Sequence, residues 1–273
     1  MMEKKFVLGQ VLEKYHYYFQ LGMYFSKDEF ILETRMLFSE LIDDNFWNYA
    51  AEVLTIEERV EQIIRQVENR FAKKERIPAF YLTPWTQPPS FPHTLRKHGY
   101  SLSFDDAWVV AQNLSIPQFD LPSGLRIVRV STWKHISTFI ETFMSAFGYV
   151  SEDVPYGGLP KTYGETLRRS VVNNRNNDNI VHYLAYWNNE PAGVGSLVYK
   201  SGIAGLYNLG VKAEFRNKGI GKMLALQRIF DALKFGNNII FFQSEPGGIV
   251  EKFYHDLGFA TLFIGECWIK EKA

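Results

Sequence analysis

Gly210-Val211-Lys212-Ala213-Glu214-Phe215-Arg216-Asn217-Lys218-Gly219-Ile220-Gly221-Lys222 is the stretch on which the reading of this chain turns. An apolar run, Gly205 to Val211, ends. A short loop with two glycines and basic residues follows, and an amphipathic pattern, Ile220 to Phe235, begins at once. A strand passing into a helix this way aims backbone N–H groups and the positive end of the helix dipole at one point, a cradle for phosphate or pyrophosphate. Gly219 and Gly221 let an anion approach the backbone without a Cβ in the way, and Arg216, Lys218 and Lys222 add charge.

Two phosphate loops fail on this stretch. A Walker A loop needs a glycine five positions before Gly221 and a Ser or Thr after the lysine, but Arg216 and Met223 stand there. A dinucleotide fingerprint needs a third glycine where Leu224 sits.

Outward from the loop, the pattern predicts a strand at Leu125–Val130, helices at Trp133–Phe147 and Lys161–Val172, and a hairpin of Val181–Trp187 with Ala192–Tyr199. The strand Gly205–Val211 comes next. The helix Ile220–Phe235 has Ile220, Met223, Leu226, Ile229, Phe230 and Leu233 expected on its inner side. A strand at Ile239–Gln243, a short helix from Ile249 to Leu257 stopped by Gly258, and a final strand region to Ile269 complete the order β-α-α-β-β-β-α-β-α-β. This predicts an α/β fold of the α+β kind, a mixed sheet with helices on both faces.

Arg-x-x-Gly-x-Gly directly after Leu209-Gly210-Val211 resembles the coenzyme A loop of the GNAT N-acetyltransferase superfamily. Lys252-Phe253-Tyr254-His255-Asp256-Leu257-Gly258-Phe259 resembles the Phe-Tyr-x-x-Leu-Gly-Phe segment of the same superfamily, and the two lie in register. The likeness covers Leu125 to Ile269. It implies an acetyl-CoA-dependent N-acetyltransferase acting on a primary amine, either a small molecule or a peptide N-terminus. The cosubstrate would lie along Leu209, Gly210 and Val211, with its pyrophosphate on Arg216, Asn217, Lys218, Gly219, Ile220, Gly221 and Lys222.

Tyr254 is then the expected general acid for the departing thiolate. Many relatives carry a carboxylate two residues before the Gly210 position, where this chain has Asn208. Asn208 cannot take a proton but can hold a water or orient the amine, and Glu245 is a possible replacement base. Gly247 stands where relatives often have an asparagine. In relatives the region between the first two helices lines the acceptor side, and here Glu152 and Asp153 lie among tyrosines that include Tyr156, a surface suited to an ammonium group. Two other readings stay open: an acyl-CoA-binding regulatory module without turnover, and an interaction protein that buries a partner peptide.

The first half can be laid on the second with a shift of about 160 residues. Phe46–Ala51 falls on Leu206–Val211, Val60, Ile63 and Ile64 on Ile220, Met223 and Leu224, and, after one adjustment, Leu95–Tyr100 on Tyr254–Phe259. This resembles a tandem GNAT pair whose first copy has lost its site. Arg59 and Glu61 replace the loop glycines, Glu57 and Glu58 crowd the helix start, and Leu95 takes the acid position. The expected division is a noncatalytic domain over 1–114, a linker over 115–124 with Pro117, Pro122 and Gly124, and a catalytic domain over 125–273.

Composition agrees with a folded, soluble protein. Of 273 residues 46% are hydrophobic and 22% charged, near the globular average, which disfavours wholesale disorder. Thirty Lys and Arg balance thirty Asp and Glu, so no bulk field exists to gather nucleic acid or hold an anionic membrane. No apolar run approaches the roughly 20 residues that span a bilayer. With one cysteine, Cys267, and no signal-like start, the expected place is the cytoplasm. The six histidines show no metal-ligand spacing, so no metal is expected, and Cys267 is expected to be a packing residue.

Overall fold

The computed structural model describes residues 2–148 and 158–270. The chain divides into two compact units, one of Met1–Val110 with Gln243–Ala273, the other Ala111–Phe242. Among the described residues no helix is long and apolar enough to cross a membrane.

The first unit opens with α1 (Met2–Gln20), followed by β1 (Lys27–Ile31), β2 (Thr34–Phe38) and β3 (Asn48–Ala51). A 3₁₀ turn at Glu57–Arg59 leads into α2 (Val60–Ala72), then come β4 (Ala79–Leu82), α3 (Phe91–Lys97) and β5 (Ser101–Gln112). Val60, Ile63, Ile64, Val67 and Phe71 are the buried stripe of α2, at the spacing of one helix face. Burying side chains of this size contributes roughly 1.5–3 kcal/mol each. That stripe carries the chain from β3 to β4, which pair in parallel with Ala50 opposite Phe80. A parallel pair needs such a crossover.

The second unit begins with β6 (Leu125–Arg129), α4 (Trp133–Phe147) and α5 (Lys161–Asn173). Thr132 caps α4 by accepting the His135 N–H, which fixes its start. An antiparallel meander follows, of β7 (Ile180–Trp187), β8 (Glu190–Lys200) and β9 (Ile203–Val211). A 3₁₀ turn at Ala213–Phe215 leads to α6 (Ile220–Lys234), and β10 (Ile239–Ser244) lies parallel to β9. The chain ends with α7 (Ile249–His255) and β11 (Ala260–Ile269). The predicted element order of the second half is the observed one, within the one or two residues by which element ends ordinarily differ.

Three features differ from the sequence reading. Gln243–Ala273 groups with the first unit, whereas the expected domain ran on from 125 to 273. The reason is pairing: β11 lies between β4 and β5, antiparallel to both, with Trp268 opposite Phe80 and Leu102. The buried face of α6 is also displaced. Ile220, Leu226 and Ile229 are buried as expected, but Leu224, Ala225, Arg228, Asp231 and Ala232 complete the stripe in place of Met223, Phe230 and Leu233. Polar residues inside the stripe hid it from an apolar-periodicity reading. The same masking hid α1, whose buried face holds Glu13, His16 and Gln20 beside Leu12 and Tyr17.

Candidate active site

Strand β9 is irregular where the coenzyme was expected. On β8, Val194 and Ser196 are two apart, while their partners on β9, Gly210 and Tyr207, are three apart. The extra residue makes a bulge at Asn208–Leu209, with Asn208 in the left-handed region at φ +57. Asparagine tolerates that conformation better than other non-glycine residues. On its other side β9 pairs with β10 only over Ile203–Gly205, although β9 continues to Val211. Leu206–Val211 therefore extends beyond the β10 ladder, and the bulge falls within that part.

The bulge is tied down from β8 and β7. Asn208 Nδ2 donates to Ser196 Oγ at 3.1 Å, and Ser196 Oγ lies 2.8 Å from His182 Nδ1. Ser196 and His182 face each other across the β7–β8 ladder. Burial pushes the His182 imidazole down to about 4, so it is neutral at physiological pH. Arg228, on α6, donates from Nη1 to the carbonyls of Tyr207 at 3.1 Å and Ser196 at 3.4 Å, and from Nε to Leu224 O at 3.1 Å. None of His182, Ser196 and Arg228 was singled out from sequence. A charged residue inside an apolar stripe, as Arg228 is in α6, is the one signal that could have found the set.

Beyond β9 the loop takes the expected form. Gly219 is the N-cap of α6 at φ +77, and no side chain caps the helix. A Cβ at Gly219 would meet nothing within 4 Å among the described residues, so the conformation and not crowding selects glycine there. At Gly221 the backbone is ordinary and a Cβ would only touch Val211 Cγ2 at 3.6 Å, so no neighbour among the described residues demands glycine. The described residues thus leave the backbone of the first turn of α6 uncrowded at both glycines, a geometry that fits a pyrophosphate.

The basic side chains differ in role. Lys218 and Lys222 are exposed, and Lys218 Nζ stands over the rings of Phe215 and Trp187. Arg216 instead donates to the carbonyls of Val211 and Ala146, bracing the end of β9 against α4. Gly210 is required by that packing: its Cβ would stand 2.6 Å from Phe147 Cε2.

Tyr254 and Glu245 belong to the first unit by the division above. Tyr254 lies on α7, 1% exposed, with its ring edge-on to Phe253 and Phe259. Its carbonyl accepts the Phe259 N–H around Gly258 at φ +89, the helix stop expected there. Glu245 is exposed in the loop before α7. Gly247 takes φ +72, and its N–H donates to Glu251, whose carboxylate also accepts from the Thr261 hydroxyl. These bonds hold Glu251 below the usual carboxylate range. Glu152, Asp153 and Tyr156 lie outside the described residues. Cys267 is fully buried beside Asn45, and burial pushes its thiol up to about 12.

The first unit repeats the order strand, 3₁₀ turn, helix, strand, helix, strand, but with its helix start closed. Glu57 accepts from Ser90, Arg59 pairs with Glu33, and Glu61 lies 3.0 Å from His98 Nε2. Leu95, in the position matching Tyr254, is fully buried. Carboxylates occupy the helix start where an anion would bind.

Residues 146–259 match the family model of the acetyltransferase (GNAT) family, so this part of the chain is a GNAT acetyltransferase domain. No curated protein matches the sequence. Among solved structures, a GCN5-related N-acetyltransferase from Kribbella flavida superimposes with a TM-score of 0.65 at 14% identity, over 90% of each chain. A functionally unknown conserved protein from Staphylococcus epidermidis gives 0.65 at 13% identity, over 92% of this chain and 96% of that one. A tandem GNAT protein from the clavulanic acid biosynthesis pathway gives 0.61 at 14% identity, over 88% of this chain and 79% of that one. Likeness at these identities shows the fold. The degenerate first copy is consistent with such a tandem arrangement.

Proposed function

We propose that the chain is an N-acetyltransferase that moves an acetyl group from acetyl-CoA to a primary amine by direct attack. The observation that carries this reading is the first turn of α6, which opens from Gly219 without a side-chain cap on a GNAT-family segment. Bound acetyl-CoA would supply the activated acetyl thioester. The turn from Arg216 to Lys222 then holds the pyrophosphate, and Leu209, Gly210 and Val211 pair with the pantetheine amides as an added strand would.

A backbone N–H of that strand polarises the thioester carbonyl. The amine nitrogen forms a bond to the acetyl carbon as the C–S bond breaks, and the Tyr254 hydroxyl delivers its proton to the departing sulfur. The amine loses its proton to Glu245 or to water held by Asn208. Glu152, Asp153 and Tyr156 receive the cationic acceptor, and residues 1–114 are a noncatalytic partner domain. The reaction is assigned to the cytoplasm, without a metal.

Titration calorimetry with acetyl-CoA, followed by measurement of free CoA release with an amine panel, tests this. No heat signal would refute the coenzyme site, and binding without CoA release would support the second reading. That second reading is an acyl-CoA-binding module with little turnover. It is favoured by Asn208, which replaces a carboxylate and whose Nδ2 is engaged by Ser196.

A further inference from the structure

Any β-bulge leaves ladder groups without their regular partners, and buried carbonyls must find donors elsewhere. On β9 the bulge begins just after Tyr207, and the Tyr207 carbonyl accepts from Arg228 Nη1 at 3.1 Å. The same Nη1 reaches Ser196 O on β8 at 3.4 Å, so one guanidinium spans both strands. It lies 1% exposed on α6 and is anchored to its own helix through Leu224 O.

Gly195, on β8 between the two register points, makes room for it. A Cβ there would stand 3.1 Å from Arg228 Cδ and Nε, tighter than an ordinary contact. A buried cation is costly to hold, and charge-assisted bonds to carbonyls offset that cost. An apolar side chain would fill the same space with less desolvation, so packing alone does not account for an arginine at this position.

We infer that Arg228 is a positioning residue that holds the bulge of β9 in the form that receives the pantetheine arm, with Gly195 as its required neighbour. The inference rests on the coenzyme A reading above. Arg228 touches no reacting atom; it acts through the backbone of Tyr207 and the bulge that follows. The proposed pyrophosphate site, by contrast, is the Gly219 turn beyond the end of β9, which Arg228 does not hold through these bonds, so the two halves of the coenzyme should respond differently to its loss.

The test uses the full chain with two probes, coenzyme A and adenosine 3′-phosphate 5′-diphosphate, which has the pyrophosphate but no pantetheine arm. For Arg228→Met, calorimetry should give a loss of about tenfold in coenzyme A affinity, the size expected for one lost backbone alignment, with nucleotide affinity held within about twofold. Arg228→Lys should recover part of the loss, since an ammonium also donates to carbonyls. Gly195→Ala keeps the arginine but crowds it, and should shift coenzyme A affinity in the same direction by less.

Equal weakening of both probes in Arg228→Met and Gly195→Ala would make the residue a general packing element and overturn the inference. Unchanged affinity for both probes would overturn it too. If the unaltered protein binds neither probe, the coenzyme A reading itself fails, an outcome distinct from selective failure in the variants.

Discussion

Ser196 Oγ lies within hydrogen-bond distance of both Asn208 Nδ2, at 3.1 Å, and His182 Nδ1, at 2.8 Å. One buried hydroxyl thus links the bulge of β9 to the middle of β7. Its removal in Ser196→Ala strips a partner from the buried His182 ring and from the half-buried Asn208 amide, and a buried group left unpaired typically costs about 1–3 kcal/mol. Thermal or denaturant unfolding should show that loss, and a midpoint equal to that of the unaltered protein would mean that the link carries no stability.

Replacing Gly219 by Glu puts a negative charge at the head of α6. Among the described residues a Cβ at this position meets nothing, so the folding cost is that of a non-glycine residue at φ +77, about 1 kcal/mol. Acetyl-CoA affinity should fall by more than about tenfold, the effect of a like charge at an anion site. Calorimetry measures it directly, and undiminished affinity would remove the loop from the coenzyme site.

Tyr254→Phe retains the ring contacts with Phe253 and Phe259 while removing the hydroxyl. With Tyr254 as the acid, kcat should drop about 10²-fold or more and acetyl-CoA affinity should hold, as positioned proton transfer contributes on that scale. A steady-state rate equal to that of the unaltered protein would leave Tyr254 a core residue only.

Glu13, 1% exposed on α1, has its carboxyl pushed up to about 7 by burial, helped by the Glu52 charge and opposed by bonds from the Tyr17 hydroxyl and Trp85 indole and by the Arg35 charge. Its folded value lies above the unfolded one, so the stability from its neutral form is full below about pH 4.5 and declines as the pH rises through about 7. Asp106 follows the same direction, and the buried His16 and His182 the opposite one. The measurement is therefore a difference: Tm of the unaltered protein minus Tm of Glu13→Gln should decrease between pH 4.5 and 7. A constant difference across that range would contradict the burial assigned to Glu13.

Much of the second half was legible because its signals are local. Trp133–Phe147 forms a helix over the predicted span, and Gly219 and Gly258 sit at the helix ends that their conformational freedom suits. Much of the candidate site's anchoring was not legible. His182, Ser196, Asn208 and Arg228 come from three strands and a helix, and only folding brings them to one bulge.

By itself the sequence determined the order of elements in the second half, the character of the Arg216–Lys222 turn, and the charged residues that stand at the matching helix start, Glu57–Glu61. Each depends on residues close together in the chain, where sterics and helix-end electrostatics act over one or two turns. Only the tertiary structure decided that β11 enters the sheet beside β4 and β5, that Arg228 and Asp231 lie inside the buried stripe of α6, and that α1 buries Glu13 and His16. Strand partners and the burial of a charge are set by groups far away in sequence, which supply the hydrogen bonds that make such burial tolerable.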